Sequence, residues 1–358
     1  MTEIDLDDAA AVEAADRQGV LPAVASAAAQ VRAAATATAE ADVTRLIAAG
    51  RPRAVVCVGM GGSGIAGDVL AAVAGTECPI PVWVHRDGGL PAWVGVPDVV
   101  LACSATGETD ETLSATDEAI RRGADLMCVT AADSSLARRA QQARAAFVPV
   151  PDISPPQAGL WALAVPGLVV AEQWGLLHER LDLEATAVRL EQVAAACYLG
   201  RDSLVNPAKG LALALGGRIP QVWGSSPLTG VAAYRFACQL NAQARTVAAY
   251  GVLPEVAHHQ LAVLDGPAAG SPDDIFADPD LDGPAALRLA QVLLRDPAGE
   301  SGRVRARADA VVTRAEERGT RLLVIDTQGA TRLERLASVV GVTDFAAAFL
   351  GLQAVMPS

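Results

Sequence analysis

The stretch Ala54–Asp68, AVVCVGMGGSGIAGD, constrains this chain more than any other. A short run of apolar, largely β-branched residues stops at Gly59, and Gly61, Gly62 and Gly64 then surround Ser63 before small and apolar residues resume. That order is a strand, a tight turn and the start of a helix. Glycine admits positive φ and lets a ligand approach the backbone amides, and Ser63 falls where the unpaired N–H groups of a helix start can hold an anion. The turn therefore reads as a phosphate cradle.

The segments downstream of this turn set the fold class. From Arg53 onward, apolar strand-like runs alternate with helical segments: AVVCVG, IAGDVLAAVAG, PVWVHRD, then a strand VVLACS, a helix ending at Gly123, DLMCVTA, SLARRAQQAR and AFVPVP. Runs that are apolar throughout belong to a largely parallel sheet covered on both faces, and such sheets bind ligands beyond the carboxyl ends of their strands. The loops after VVCVG and VVLAC lie at those ends. A second alternating set begins at RIPQVWGSS and runs through TRLLVIDTQG to a long apolar C-terminal segment. QVWGSSPLTG repeats the strand, small-residue loop and helix logic of the opening stretch with fewer glycines. The expectation is α/β, two three-layer halves of mainly parallel sheet flanked by helices, and 358 residues suffice for both cores. The divisions fall at residues 1–50, an alanine-rich helical arm read as two helices broken near Gly19 and Pro22; 51–153, the first α/β half; 154–205, a helical connector; and 206–358, the second half. Residues 267–284, acidic and rich in Pro, Gly and Asp, read as a surface loop.

Charge and cysteine usage narrow the partners. The formal charge of −13 repels nucleic acid and anionic membrane, so neither is expected as a partner. A phosphate ligand must then be held by local dipoles and hydroxyls. The N-terminus lacks a basic stretch followed by an apolar core, and the most apolar run, Ala158–Ala171, is interrupted by Pro166 and closed by Glu172, short for a membrane span. It reads as a buried helix, and the expected compartment is the cytoplasm. The six cysteines form no C-x-x-C pair and have no histidine at metal spacing, so no metal is expected; Cys57, Cys103 and Cys128 fall inside strand-like runs as small hydrophobes.

Two chemistries compete for the glycine turn. Gly59, Gly61 and Gly64 satisfy G-x-G-x-x-G, but a dinucleotide site also needs an acid at the end of the second strand, and Asp87 lies farther along than that spacing asks. A dinucleotide-binding oxidoreductase thus rests on glycine spacing alone. The second strand-end loop, Cys103–Thr109, instead offers Ser104, Thr106 and Thr109 around Gly107. Thr109, followed by Glu111, also suits an ordinary helix cap. Two hydroxyl-rich turns with neither lysine nor arginine in them fit a neutral pocket for a phosphomonoester, built from amides and hydroxyls.

GMGGSGIAGD at Gly59–Asp68, the Ser/Thr-rich run Ser104–Thr112 and PEVAHHQ at Pro254–Gln260 resemble the bifunctional phosphoglucose/phosphomannose isomerases of the sugar isomerase (SIS) domain superfamily. The resemblance implies two SIS subdomains, a homodimer, a small-molecule phosphosugar as ligand and no metal or nucleotide cofactor. It places Gly61, Gly62, Ser63, Ser104, Thr106 and Thr109 at the phosphate, with Thr106 standing where a serine is usual. It makes His258 the ring-opening residue, with His259 as its neighbour, in an aldose–ketose isomerisation through an enediol, for which an imidazole titrating near neutrality is suited. Three positions depart. Ala242, in Asn241-Ala242-Gln243-Ala244-Arg245, stands where the family carries its glutamate base; Pro155-Pro156-Gln157 replaces a segment that delivers an arginine; and no lysine follows Lys209, where the family has one in its last helix. Glu255 is a candidate replacement base. The expectations are therefore an isomerase acting on glucose 6-phosphate, mannose 6-phosphate or fructose 6-phosphate, or a catalytically degenerate sensor or partner protein that binds the same ligands.

Overall fold

A computed structural model describes residues 4–266 and 288–353; the acidic segment expected as a surface loop, 267–284, lies outside them. In chain order the described helices and strands are α1 Ala9–Ala15, α2 Val20–Ala25, α3 Ala27–Glu40, α4 Thr44–Ala48, β1 Val55–Val58, α5 Gly61–Ala74, β2 Val82–His85, β3 Val99–Ser104, α6 Asp110–Arg122 and β4 Asp125–Thr130. They continue with α7 Ser135–Ala143, β5 Ala146–Pro149, α8 Leu160–Gln173, α9 Leu183–Ala196, α10 Pro207–Leu215, β6 Ile219–Gly224, α11 Pro227–Ala242, β7 Ala249–Val252 and α12 Val256–His259. Last come β8 Leu289–Arg295, α13 Gly302–Glu317, β9 Leu322–Asp326 and α14 Arg332–Gln353. Short 3-10 turns occupy Pro156–Ala158 and Gln260–Asp265.

The chain separates into two compact units, one of Gln18–Glu191 with Thr331–Glu334, the other of the remaining described residues. The first holds a parallel sheet in the order β2-β1-β3-β4-β5, with Val58 opposite His85 on one side and Ala102 on the other. The second holds a parallel sheet in the order β7-β6-β8-β9. Each order reverses once, between β1 and β3 and between β6 and β8, and at such a reversal the loops part to leave a crevice at the carboxyl ends. The two α/β halves read from the alternating pattern are both present.

Burial explains the apolar runs. On one face of the first sheet Val56, Val58, Val100, Ala102, Leu126 and Cys128 pack against Ala115 and Ala119 of α6 and Leu136 and Ala140 of α7. Cys57, Cys103 and Cys128 are buried in strands, as expected, and burial pushes the Cys103 thiol up to about 12, which leaves it un-ionised at neutral pH. In the second sheet Trp223 and Leu293 pack with Val256, Ala308 and Val311.

Two helix expectations need correction. Residues 5–48 form four helices rather than two. Gly19, at φ +64°, caps α2, and Pro22 sits inside its first turn, where the missing N–H costs nothing, so the expected breakers open a helix. Pro166 does not interrupt the apolar run: α8 continues through it, with almost every residue from Leu160 to Ala171 buried. Packing on α3 and α5 offsets the lost hydrogen bond. The long apolar α14 meets the length and hydropathy of a membrane span, yet 89% of its apolar window is buried, as in a core helix.

At the start of the second unit, Lys209, the only lysine, is buried and donates to Asp7 at 3.2 Å and to the Arg201 carbonyl at 2.7 Å. These contacts tie the N-terminal segment to α10.

Candidate functional site

The site is built where the first sheet reverses. β1 ends at Val58, and Gly59 must pass so close to β3 and α5 that a Cβ on it would lie 2.8 Å from the Cys103 carbonyl oxygen and 3.0 Å from the Ser63 carbonyl carbon. Gly61 follows with φ +52°, a conformation that favours glycine. α5 then starts with no side-chain cap and no acidic residue in its first turn. The Ser63 and Gly64 N–H groups donate to the Met60 carbonyl at 3.1 and 3.3 Å, and the positive end of the helix dipole faces the loop. Gly62, next to Gly61, runs beside the 3-10 turn that carries Gln157, with a Cβ position 4.0 Å from the Gln157 Cα. That is the segment in which the family resemblance would put an arginine.

The second loop closes on the first. The Ala105 N–H donates to Ser63 Oγ at 3.3 Å. Ser104, buried at the end of β3, accepts from the Gly107 N–H at 3.0 Å and shares a hydroxyl contact of 3.2 Å with Thr109. Thr106 is exposed, with its Oγ1 accepting from the Glu108 N–H at 3.4 Å. Gly107, at φ +69°, is held by its carbonyl, which accepts from Leu136 at 3.0 Å, and a Cβ there would fall 2.2 Å from Ser134 Oγ. Glu108, the one charged residue of this loop, turns to the start of α7, where its carboxylate accepts from the Ser135 N–H at 2.7 Å, and that contact lowers its pKa. The structure thus brings Gly61, Gly62, Ser63, Ser104, Thr106 and Thr109 to two adjoining loops. Thr109 occupies the cap position of α6 without making a side-chain cap bond. Its hydroxyl goes to Ser104 instead.

A charged pair was not legible in either loop. Arg86 follows β2 directly, and a Cβ on Gly64 would lie 3.0 Å from its Nε and 2.6 Å from the Gly59 carbonyl oxygen. The guanidinium pairs with Asp68, one turn further along α5. Burial pushes the Asp68 carboxyl above its ordinary value, against the pull of Arg86. Asp87, weighed as a ribose acid, is exposed and accepts from its neighbour Gly88 N–H at 2.7 Å, the contact of a turn residue.

His258 belongs to the second unit, exposed near the end of the single turn α12. His259 beside it contacts Glu255 at 3.4 Å, and both are exposed. Gln260 anchors the turn: its Oε1 accepts from the Trp223 indole at 2.8 Å and its Nε2 donates to the Tyr250 carbonyl at 3.3 Å. Ala242 is the last residue of α11 and offers only a methyl group. Among the described residues no group of three or more His, Cys, Asp or Glu is placed to hold a metal.

Two parallel sheets of matching strand order, each flanked by helices, give an α/β fold of two halves like that of solved SIS phosphosugar isomerases. Residues 204–354 match the family of the bacterial phospho-glucose isomerase C-terminal SIS domain. A bifunctional phosphoglucose/phosphomannose isomerase from Caldicellulosiruptor bescii is 31% identical over 60% of this chain and 63% of its own length, less than two thirds. One from Aquifex aeolicus is 27% identical over 83% of this chain and 84% of its own. The C-terminal domain of a glucosamine-fructose-6-phosphate aminotransferase from Francisella tularensis shares the fold, with a TM-score of 0.68 at 14% identity over 94% of this chain and 96% of that one. The chain is similar to the bifunctional phosphoglucose/phosphomannose isomerases, and its residues 204–354 match the bacterial C-terminal SIS domain family.

Proposed function

We propose that this protein binds hexose 6-phosphates, of which fructose 6-phosphate, glucose 6-phosphate and mannose 6-phosphate are the candidates, with the phosphate at Gly61, Gly62, Ser63, Ser104, Thr106 and Thr109. The observation that carries the reading is the uncapped start of α5 joined through Ser63 Oγ to the hydroxyl-rich loop after β3. Amide and hydroxyl donors around a helix N-terminus suit a phosphomonoester, and neither of the two loops itself carries a lysine or arginine. A dinucleotide is disfavoured because Asp87 is engaged in its own turn.

Isomerisation asks for two groups, and one of them is missing. Opening the ring and moving a proton between C1 and C2 needs an acid–base group at the ring oxygen, assigned to His258, and a base at carbon. Ala242 cannot accept a proton. Loss of a positioned base costs roughly 10²- to 10⁴-fold in rate, so turnover is expected far below that of an enzyme with a carboxylate there. A second reading, a phosphosugar-responsive sensor or partner protein, is favoured by the same alanine together with Gln157 in place of an arginine. A cytoplasmic homodimer belongs to either reading.

Calorimetry with fructose 6-phosphate and coupled assays for both aldose products test the proposal. Binding with turnover that is weak, lost in His258→Gln and raised in Ala242→Glu supports it. Robust turnover abolished by His258→Gln defeats the sensor reading, and no phosphosugar binding defeats both.

A further inference from the structure

We infer that Arg86 is the cation of the phosphate site and that Asp68 holds it in reserve, so that the pair sets how tightly the cradle takes its anion. The inference rests on the phosphosugar reading and adds a residue from a third strand end. Parallel pairing of β2 with β1 brings His85 opposite Val58, so the next residue, Arg86, emerges at the carboxyl end of the sheet alongside Gly59. Its Nε lies where a side chain on Gly64 would have to go. Gly64 is thereby explained: alanine there would meet both the guanidinium and the Gly59 carbonyl, displacing the arginine from the first turn of α5.

The guanidinium is close to the cradle but pointed at Asp68, on the next turn of the same helix. The Arg86 and Asp68 side chains are 29% and 21% exposed, so the pair is partly screened and the arginine borders solvent at the mouth of the loop. Such a pair has two uses for its charge. With the cradle empty, Asp68 neutralises the arginine; with an oxyanion at the start of α5, one or more of the five guanidinium donors can turn to it. Gln157 beside Gly62 offers the cradle no charge from the other side. Arg86 is therefore the charged donor available to offset a phosphate in a strongly acidic protein.

A brace and a charge reserve differ in sign. If the pair merely stiffens α5 on β2, removing either partner weakens ligand binding. If Asp68 competes with the ligand for Arg86, removing the carboxylate strengthens binding. Calorimetric titration of the full-length protein with fructose 6-phosphate and, separately, inorganic phosphate reads this directly, with thermal unfolding confirming that each variant folds. Arg86→Met is expected to weaken both ligands by about 10- to 100-fold, the range for losing a charge-assisted contact, and Arg86→Lys to recover part of it. Asp68→Asn is expected to tighten both by about 3- to 10-fold through the same competition. In the Asp68→Asn/Arg86→Met double variant that gain disappears. Unchanged affinity in Arg86→Met, or equal weakening in both single variants, overturns the inference, as does a gain from Asp68→Asn that survives without Arg86. If fructose 6-phosphate does not bind but phosphate does, the phosphosugar reading fails while the sign test still decides on Arg86. If neither binds, both fall.

Discussion

The reversals of the two sheets occupy equivalent places in the same strand order, yet their side chains treat them oppositely. At the first, α5 begins without a cap, the Ser104 and Thr109 hydroxyls share a contact of 3.2 Å, and Ser63 Oγ accepts from the Ala105 N–H at 3.3 Å. At the second, α11 is closed by its own capping box, in which Ser226 and Thr229 serve each other's backbone. The neighbouring hydroxyl, Ser225 Oγ, accepts from the Asp296 N–H at 2.8 Å just past β8. Asp296 in turn accepts from Thr327 at 3.1 Å and Arg335 at 2.9 Å, and Glu300 engages Arg295 through two contacts of 2.8 and 3.0 Å. Ser225, Ser226, Asp296, Glu300 and Arg335 are all buried. Topology provides a crevice in both halves. At the second, charged groups are buried against one another, although Asp296 Oδ2 has no hydrogen-bond partner among the described residues. At the first, the polar side chains of the loops are neutral hydroxyls apart from Glu108, which turns to α7.

Breaking that contrast is expected to move stability in one half and binding in the other. Arg335→Met leaves the Asp296 carboxylate buried without its cation and should cost about 3–5 kcal/mol, the range for breaking one side of a buried pair, read as a lower urea midpoint. The first reversal should not respond in kind. Gly107→Ala, which forces a Cβ against Ser134 and Thr130 at positive φ, should cost roughly 1–3 kcal/mol and displace the loop that carries Thr106 and Thr109, so urea unfolding and calorimetry both register it. Ser104→Ala leaves the buried Gly107 N–H without its acceptor, about 1–3 kcal/mol at most, and should weaken fructose 6-phosphate more than it lowers the urea midpoint. Ser63→Ala should cost less than about 1 kcal/mol of stability while reducing phosphosugar affinity. Were Ser63→Ala as destabilising as Arg335→Met, the two reversals would both be cores and the contrast would collapse.

Legibility in the sequence depended on how locally each feature is encoded. The glycine turn was readable because Gly59, Gly61 and Gly64 announce a backbone that other residues cannot follow, and the strands because parallel sheets leave runs such as VVLAC unbroken by polar residues. Gly19 and Pro22 misled for the opposite reason. Each breaks a helix in its interior and opens one at its start, and only the tertiary placement of α2 decides which. Thr109 suits both a helix cap and, as the preferred reading, a pocket; the structure puts it at the cap position of α6 with its hydroxyl on Ser104 rather than on the helix backbone. Arg86 escaped because its proximity to Gly64 comes from strand pairing across a helix, with no fixed spacing to betray it. The one signal for it was a charged residue directly after the strand paired beside the glycine-turn strand. The closed reversal was still less readable: Ser225 and Asp296 are 71 positions apart, and Asp296 and Arg335 are 39 apart.

The smallest expected effect concerns acid at the closed reversal. Burial works to raise the pKa of Glu300, but hydrogen bonds from Arg295 and Ser225 outweigh it, so the carboxyl sits below its ordinary value in the folded chain. A depressed folded pKa means that the unfolded chain takes up the proton first as pH falls. The Glu300 contribution is therefore complete above the ordinary glutamate range, near pH 4.3 and up, and drains away as pH drops through that value toward the lower folded one. Glu300→Gln removes the proton uptake while keeping an amide oxygen for Arg295. Its urea midpoint should lie below that of the wild type at neutral pH, and the gap should narrow on acidification. The cradle residues Ser63, Ser104, Thr106 and Thr109 do not titrate in this range, so the same substitution should leave fructose 6-phosphate affinity at neutral pH unchanged. A gap that widened in acid would mean that Glu300 is held protonated, and that the closed reversal is sealed by a neutral hydrogen bond rather than by an ion pair.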